Sequence, residues 1–374
     1  MDSRKLKRYI PSWILEFYAS QRDKQLRKQK DRKLIQEINE YNSRINGIID
    51  HVASKDRIKV VFYVLNLGMW KSDRLFRLLL DNSRFSPVAV SFLFEKDSLE
   101  YNIGRSKEMR SYFESKGFPF EDGFDFTSGK MIDIDSMSPD LVFYPQPYIN
   151  DKSILPPNAL MAYVPYSFMM SDLPELHNFL FQNICWKMFY PTELHKDMEA
   201  KYSFNKGANV VVTGNPLEDY FFSEEGFDDS VWKSHDKALK RIIWAPHHSI
   251  FANDPLDIAT FLTIADDMLE LTKKYESKVQ FAFKPHPRLE PKLHLATKWG
   301  ERRTSDYYNE WRTRPNCTLI EGGYVDLFST SDALIHDCGT FCGEYLYVNK
   351  PVMFLSDKPR IERFNDFANA CYDV

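Results

Sequence analysis

Three short segments gather the side chains that bind phosphate. Lys284-Pro285-His286-Pro287-Arg288 follows the apolar run Val279–Phe283. His247-His248-Ser249 follows Arg241-Ile242-Ile243-Trp244 through Ala245-Pro246, and Asp337-Cys338-Gly339-Thr340 follows Ala333-Leu334-Ile335-His336. Lysine, arginine and histidine offer charge and N–H donors that match phosphate oxygens. Pro285 and Pro287 fix φ and cannot donate to a sheet, so the strand ends there and the cations leave it stiffly held. The third segment is a glycine turn opening a helix, where backbone N–H groups and the helix dipole favour an anion and Thr340 adds a hydroxyl. Three such exits in one half of a chain point to a phosphorylated ligand rather than to unrelated polar loops.

Nearby residues read in more than one way. Glu344, a turn into the helix after Cys338-Gly339, fits an acceptor for ribose hydroxyls or a solvated helix face. Asp337 fits a turn-holding role better than ligand contact. His336, directly after an apolar strand, fits a hydrogen-bonded core histidine or a ligand-facing one.

These residues need a scaffold, and the hydrophobic pattern supplies it. The first half reads as strands at Lys59–Val64, Pro87–Leu93, Leu141–Tyr144, Ala159–Val164, Lys187–Tyr190 and Val210–Thr213. Helices are expected at Ser72–Asn82, around Ser106–Lys116 and at Thr192–Lys201. The second half reads as strands at Arg241–Trp244, Val279–Phe283, Thr318–Ile320, Ala333–Ile335 and Val352–Leu355. Its helices are expected at Asp257–Tyr275, Asp326–Ser331 and Cys342–Val348. Strand-loop-helix alternation of this kind predicts parallel, doubly wound sheets with ligands at the carboxyl ends of the strands. The loop after the first strand, Asn66-Leu67-Gly68-Met69-Trp70, has one glycine and is no dinucleotide fingerprint. The polar stretch Ser223–Lys240 reads as the link between two domains, giving an arm at 1–50, a first domain at 51–222 and a second at 223–374.

At 374 residues, 43% hydrophobic and 15% aromatic, the chain has material for two cores. Net charge is −4, which offers no reason to expect nucleic acid. The charge is unevenly spread: residues 1–34 hold eleven Lys/Arg against four Asp/Glu, a net +7, leaving −11 for the other 340. A charged helix is expected from Gln21 to Asn46, stopped by Gly47. It packs on the first domain or a partner, or else residues 4–34 meet an anionic membrane surface with Trp13, Phe17 and Tyr18 in the headgroups. Five cysteines in odd number suggest free thiols, and Cys338-x3-Cys342 is a poor zinc pattern, so no metal is expected. No run of 18 apolar residues exists. The chain is expected to stop soon after its last strand, without the closing helices such folds carry.

The order Trp244-Ala245-Pro246, Lys284-Pro285-His286-Pro287, Asp326-Leu327-Phe328…Ser331-Asp332-Ala333-Leu334-Ile335-His336-Asp337, Glu344-Tyr345-Leu346 and Lys350-Pro351-Val352 resembles the CDP-glycerol glycerophosphotransferase family, which builds teichoic-acid and capsule polymers. The likeness covers residues 240–356 well and the first domain in layout only. It implies a GT-B fold: two Rossmann-like domains facing a cleft, with the nucleotide donor on the second. It also implies that Lys284, His286 and Arg288 lie near the donor diphosphate, with His248 beside them, and that Cys338, Gly339 and Thr340 cradle it.

Two departures stand out. The family's His-Gly-Thr after a first-domain strand is replaced by Pro165-Tyr166-Ser167-Phe168, and an arginine common after Trp-Ala-Pro is replaced by His247-His248. Tyr166, Asp172 and His247 remain open as candidate bases, with His286 at the reacting phosphate. The resemblance implies transfer of a glycerophosphate- or ribitol-phosphate-like group from a CDP-activated donor to a glycan or polyol-phosphate acceptor. It requires no cofactor, is compatible with Mg²⁺, and implies a cytoplasmic protein, peripheral at the inner face of the membrane. The turn Asp337-Cys338-Gly339 with Glu344 is also similar to UDP-N-acetylglucosamine 2-epimerases, which leaves a nucleotide-sugar enzyme as the alternative. A non-catalytic nucleotide-binding scaffold is a third reading.

Overall fold

In the computed structural model, the backbone is described for residues 12–93, 97–149, 154–222, 226–252, 254, 256–356 and 364–372, with side chains among these from residue 31 onward except residues 175 and 372. The chain opens with a 42-residue helix, α1 (Ser12–Ala53). Leu34, Ile38, Tyr41, Ile45, Ile48 and Val52 recur at helical spacing and lie on the first domain's cores. The Tyr41 hydroxyl donates to Ala159 O at 3.1 Å. Gly47 does not stop this helix as the sequence suggested. A helical glycine costs about 1 kcal/mol, and burial of Ile48 and Val52 beyond it outweighs that. The side chains of residues 4–30, expected to meet lipid, lie outside the described residues. No described helix is long and apolar enough to cross a membrane.

The first sheet is assembled from β1 (Ile58–Val64), α2 (Asp73–Leu80), β2 (Phe85–Ser91), α3 (Leu99–Ser115), β3 (Phe120–Glu121), β4 (Leu141–Tyr144), β5 (Leu160–Tyr163), α4 (Leu180–Ile184), β6 (Lys187–Tyr190), α5 (Glu193–Tyr202) and β7 (Val210–Val212). All its pairings are parallel, in the order β3-β2-β1-β4-β5-β6-β7. Val61 and Tyr63 face one core while Val60, Phe62 and Val64 face the other, which is why β1 reads as an unbroken apolar run.

The chain then crosses through α6 (Glu218–Phe221) into the second unit. That unit comprises β8 (Lys240–Ala245), α7 (Phe261–Lys274), β9 (Val279–Phe283), α8 (Leu289–Leu295), α9 (Gly300–Thr313), β10 (Cys317–Leu319), α10 (Val325–Thr330), β11 (Ala333–His336), α11 (Gly339–Tyr345), β12 (Val352–Phe354) and α12 (Asp366–Tyr372). Its sheet is also parallel, in the order β10-β9-β8-β11-β12. Leu217 and Phe221, on the first-domain side of the expected boundary, pack in the second core with Trp232, Leu327 and Phe328. The polar stretch read as a link is therefore anchored by its tryptophan.

The expected absence of closing helices is corrected by α12, which crosses back to the first domain. Asn365 donates its backbone N–H to Met170 O at 3.0 Å and its side-chain amide to Met169 O at 2.7 Å. Phe168 stacks on Phe367 with ring centroids 4.9 Å apart. A Cβ on Gly343 would stand 2.9 Å from Phe367 and 3.0 Å from Phe168, so only glycine admits this close interdomain seam. The result is two parallel α/β domains with a cleft between their strand exits, the GT-B-like layout expected.

Candidate active site

In the second sheet the strand order reverses between β8 and β11, and ligands bind outside the carboxyl ends of strands at such a switch point. The β8 and β11 exits flank it and the β9 exit adjoins it. An aromatic stack lies directly beneath: Trp244 centroids are 5.0 Å from Phe283 and 5.6 Å from Phe261, and Phe283 is 4.9 Å from Trp311. These rings fix the strand ends from which the loops depart.

Asp337 ties the exits together. Its buried carboxylate accepts the His247 backbone N–H, the Thr260 N–H at 2.6 Å and the Thr260 hydroxyl at 2.9 Å. This bracket between loops comes on top of the local turn-holding expected of it, since its own backbone N–H also favours the carboxylate. Burial pushes its carboxyl up to about 6 against the pull of those donors. The same bonds explain why α7 starts at Phe261 and not at Asp257: the Thr260 amide is committed to Asp337. The β8 and β9 exits stay paired past the sheet, with Lys284 N–H on Trp244 O at 2.8 Å and His286 N–H on Pro246 O at 3.1 Å.

Three imidazoles meet in this bracket. Ring centroids of His247 and His248 are 4.3 Å apart, of His248 and His286 4.2 Å, and of His247 and His286 5.4 Å. One nitrogen from each ring lies within 4.8 Å of the others, a spacing that suits a metal ion. The hydrogen bonds argue for a different use. His247 Nδ1 accepts the Ser249 N–H at 3.2 Å, His286 Nδ1 accepts the Arg288 N–H at 3.1 Å, and His248 Nδ1 stands 3.1 Å from the Lys292 ammonium. Burial, with the adjoining imidazoles and the Lys292 and Arg288 charges adding to it, lowers all three pKa values, His247 to about 3 and His248 to about 4, so the rings are neutral at pH 7. A neutral ring whose Nδ1 accepts carries its proton on Nε2. The cluster thus holds three Nε2–H donors, which suit an anion better than a metal, because a ligating Nε2 needs its proton moved to Nδ1.

Lys284 is 5% exposed, and burial lowers its pKa to about 8. Arg288 is exposed at the start of α8. Lys292, on α8, bridges His248 and the Asp254 carboxylate. Glu344 does not lie on a solvated face: it is 1% exposed, and its Oε2 has no hydrogen-bond partner. Burial pushes its carboxyl up to about 7, with the Tyr324 hydroxyl as a hydrogen-bonding neighbour. His336 is a buried core histidine with Nδ1 2.7 Å from Cys338 O. Cys338 caps α11, its thiol pushed up to about 12 by burial, with Sγ 3.8 Å from Thr340 Oγ1. Gly339 packs against Met170 of the first domain and against Phe364, which directs this turn toward the interdomain seam.

Across the cleft, Tyr166 is half-buried, its hydroxyl pKa raised by burial and influenced by Glu344, Cys338 and Arg288 of the second domain. Asp172 has both oxygens engaged, by the Tyr202 hydroxyl at 2.5 Å and by Lys201 at 3.3 Å. Three residues escaped the sequence reading. Thr260 has no motif of its own. Tyr324 stands in an irregular loop. Lys71 leaves β1 at the first sheet's own reversal point, where the rule applied to the second sheet would have found it.

No family model matches the chain, and no curated protein is significantly similar to it. Among solved structures, UDP-GlcNAc 2-epimerase from Neisseria meningitidis bound to UDP-GlcNAc shows 16% identity and a TM-score of 0.49 over 84% of this chain and 85% of that one. The S. aureus MnaA–UDP structure gives 15% and 0.48 over 80% and 79%. A variant of the wall teichoic acid polymerase TagF gives 13% and 0.46 over 90% and 79%. At such values the likeness says nothing about substrate, which has to be argued from the site.

Proposed function

We propose that this chain is a transferase whose second domain binds a nucleoside-diphosphate-linked donor and moves a glycerophosphate- or ribitol-phosphate-like group to a hydroxyl-bearing acceptor in the cleft. The carrying observation is the bracket of β8 and β9 exits: buried Lys284, exposed Arg288 and three adjoining neutral imidazoles whose engaged Nδ1 atoms leave each with an Nε2–H donor. Such a set neutralises a diphosphate without metal-ligating lone pairs. The unpartnered Glu344 oxygen supplies the acceptor that a ribose hydroxyl needs.

In the reaction, the acceptor oxygen bonds the distal phosphorus. The bridging P–O bond breaks toward the nucleoside monophosphate, and the hydroxyl proton leaves into the cleft. Lys284, Arg288 and the imidazoles stabilise the charge that gathers on the leaving phosphate. His247 contributes here as an N–H donor, since its one lone pair already accepts from Ser249. Asp172 is tied to Tyr202 and Lys201, and Tyr166, its pKa raised by burial, keeps its proton at pH 7 and offers no phenolate. None of these three is therefore free to act as the base.

Calorimetry with CDP-glycerol, CDP-ribitol and UDP-N-acetylglucosamine tests the reading, paired with turnover of labelled donor. Binding and turnover of a CDP-polyol, lost in His286→Ala, is the expected result. Binding of the UDP-sugar alone moves the protein to nucleotide-sugar chemistry. Binding without turnover for any acceptor makes it a scaffold.

A further inference from the structure

The first domain contributes a buried cation that faces the donor side of the cleft. Lys71 is 8% exposed, and its ammonium stands 4.7 Å from the centroid of the Tyr324 ring in the second domain. Lysine is rarely this buried without a partner. Asp73, two residues on, is already held by Lys116 at 2.6 Å, the Tyr112 hydroxyl at 2.7 Å and Trp70 Nε1 at 2.5 Å. Among the described residues neither Lys71 nor Lys284 has a carboxylate within 4.0 Å. Two buried, unpaired ammonium groups from facing domains are a costly arrangement, and an anion between them removes the cost.

We propose that Lys71 is the first domain's share of the donor site: with Lys284 it clamps the distal phosphate of a nucleoside diphosphate from the opposite side of the cleft. This rests on the donor-site reading above. Burial lowers the pKa of Lys284, and the Lys71 charge lowers it further. Lys71 itself is lowered by burial, with Glu344 of the second domain the strongest opposing charge. When a ribose hydroxyl occupies Glu344, the charge that partly compensates Lys71 is screened, and the phosphate takes its place. The transferring phosphorus is then held by both domains, and an acceptor bound to the first domain meets it with Lys71 alongside.

The test is calorimetry with CMP, CDP and inorganic pyrophosphate on the full chain, comparing wild type with Lys71→Met, Lys71→Gln and Lys71→Arg. Loss of one charge-assisted contact weakens binding about tenfold to a hundredfold. CDP and pyrophosphate affinities fall by that factor in Lys71→Met and Lys71→Gln, CMP affinity stays unchanged, and Lys71→Arg retains most of the CDP affinity. Equal loss of CMP and CDP, the signature of a merely structural lysine, overturns the proposal, as does no loss at all. If wild type binds pyrophosphate through Lys71 but no nucleotide, the clamp stands and the nucleotide reading falls. If wild type binds neither CDP nor pyrophosphate, both fall.

Discussion

Replacing Lys284 by methionine should stabilise the fold at neutral pH while removing donor binding. Methionine keeps the aliphatic volume under the β9 exit and deletes the ammonium. Burial lowers the Lys284 pKa from 10.5 to about 8, and at ~1.36 kcal/mol per unit this is a penalty of about 3 kcal/mol in the ligand-free protein. The folded pKa is depressed, so the unfolded chain binds more protons between about 8 and 10.5. The penalty is therefore fully present below about pH 8 and relieved as pH rises through 10.5. Thermal melts of wild type and Lys284→Met at pH 7 and at pH 10 measure it. The variant is expected to melt a few degrees higher at pH 7, with the gap shrinking at pH 10, and to lose CDP binding. A variant less stable at pH 7, or a gap that does not change with pH, would refute the view of Lys284 as a buried, uncompensated cation awaiting an anion.

Other perturbations test the scaffold. Trp311→Ala removes the ring under Phe283 and is expected to cost about 3–5 kcal/mol in chemical denaturation, with weakened nucleotide affinity as the β9 exit loosens. Asp337→Ala leaves the Thr260 and His247 donors unpaired and should destabilise by roughly 1–3 kcal/mol or more, with faster hydrogen exchange at both amides. Gly343→Val forces a side chain into Phe168 and Phe367; increased protease sensitivity at α12, with the second sheet's core intact, is the expected outcome.

Much of the fold was legible because parallel strands buried on both faces announce themselves as apolar runs. Strands β4, β6 and β9 fall at the expected residues, and α2 and α5 within a residue or two. α9 was missed because its buried face is Tyr307, Tyr308 and Trp311 amid charges rather than an aliphatic stripe. α12 was missed because its apolar face packs across the seam on Phe168, a partner nearly 200 residues away. Helix α1 ran past Gly47 because tertiary burial of Ile48 and Val52 overrides a local breaker. In the site, residue types and strand exits were readable. Tautomers, the Asp337 bracket and the burial of Glu344 were not, since each depends on donors contributed by distant loops. Lys71 lay in a first-strand loop noted only for lacking a dinucleotide fingerprint.

The proposed donor site rests on His247, His248 and His286 acting as neutral Nε2–H donors to a nucleoside diphosphate. Nitrogen-15 NMR of histidine-labelled protein at pH 7, titrated with CDP, tests it most directly. Three imidazoles with acceptor-type Nδ1 and protonated Nε2 are expected, their Nε2–H signals shifting on CDP addition, while buried His195, beside Tyr190 and Phe367, stays unmoved. Charged rings, protons on Nδ1, or signals indifferent to CDP would contradict it.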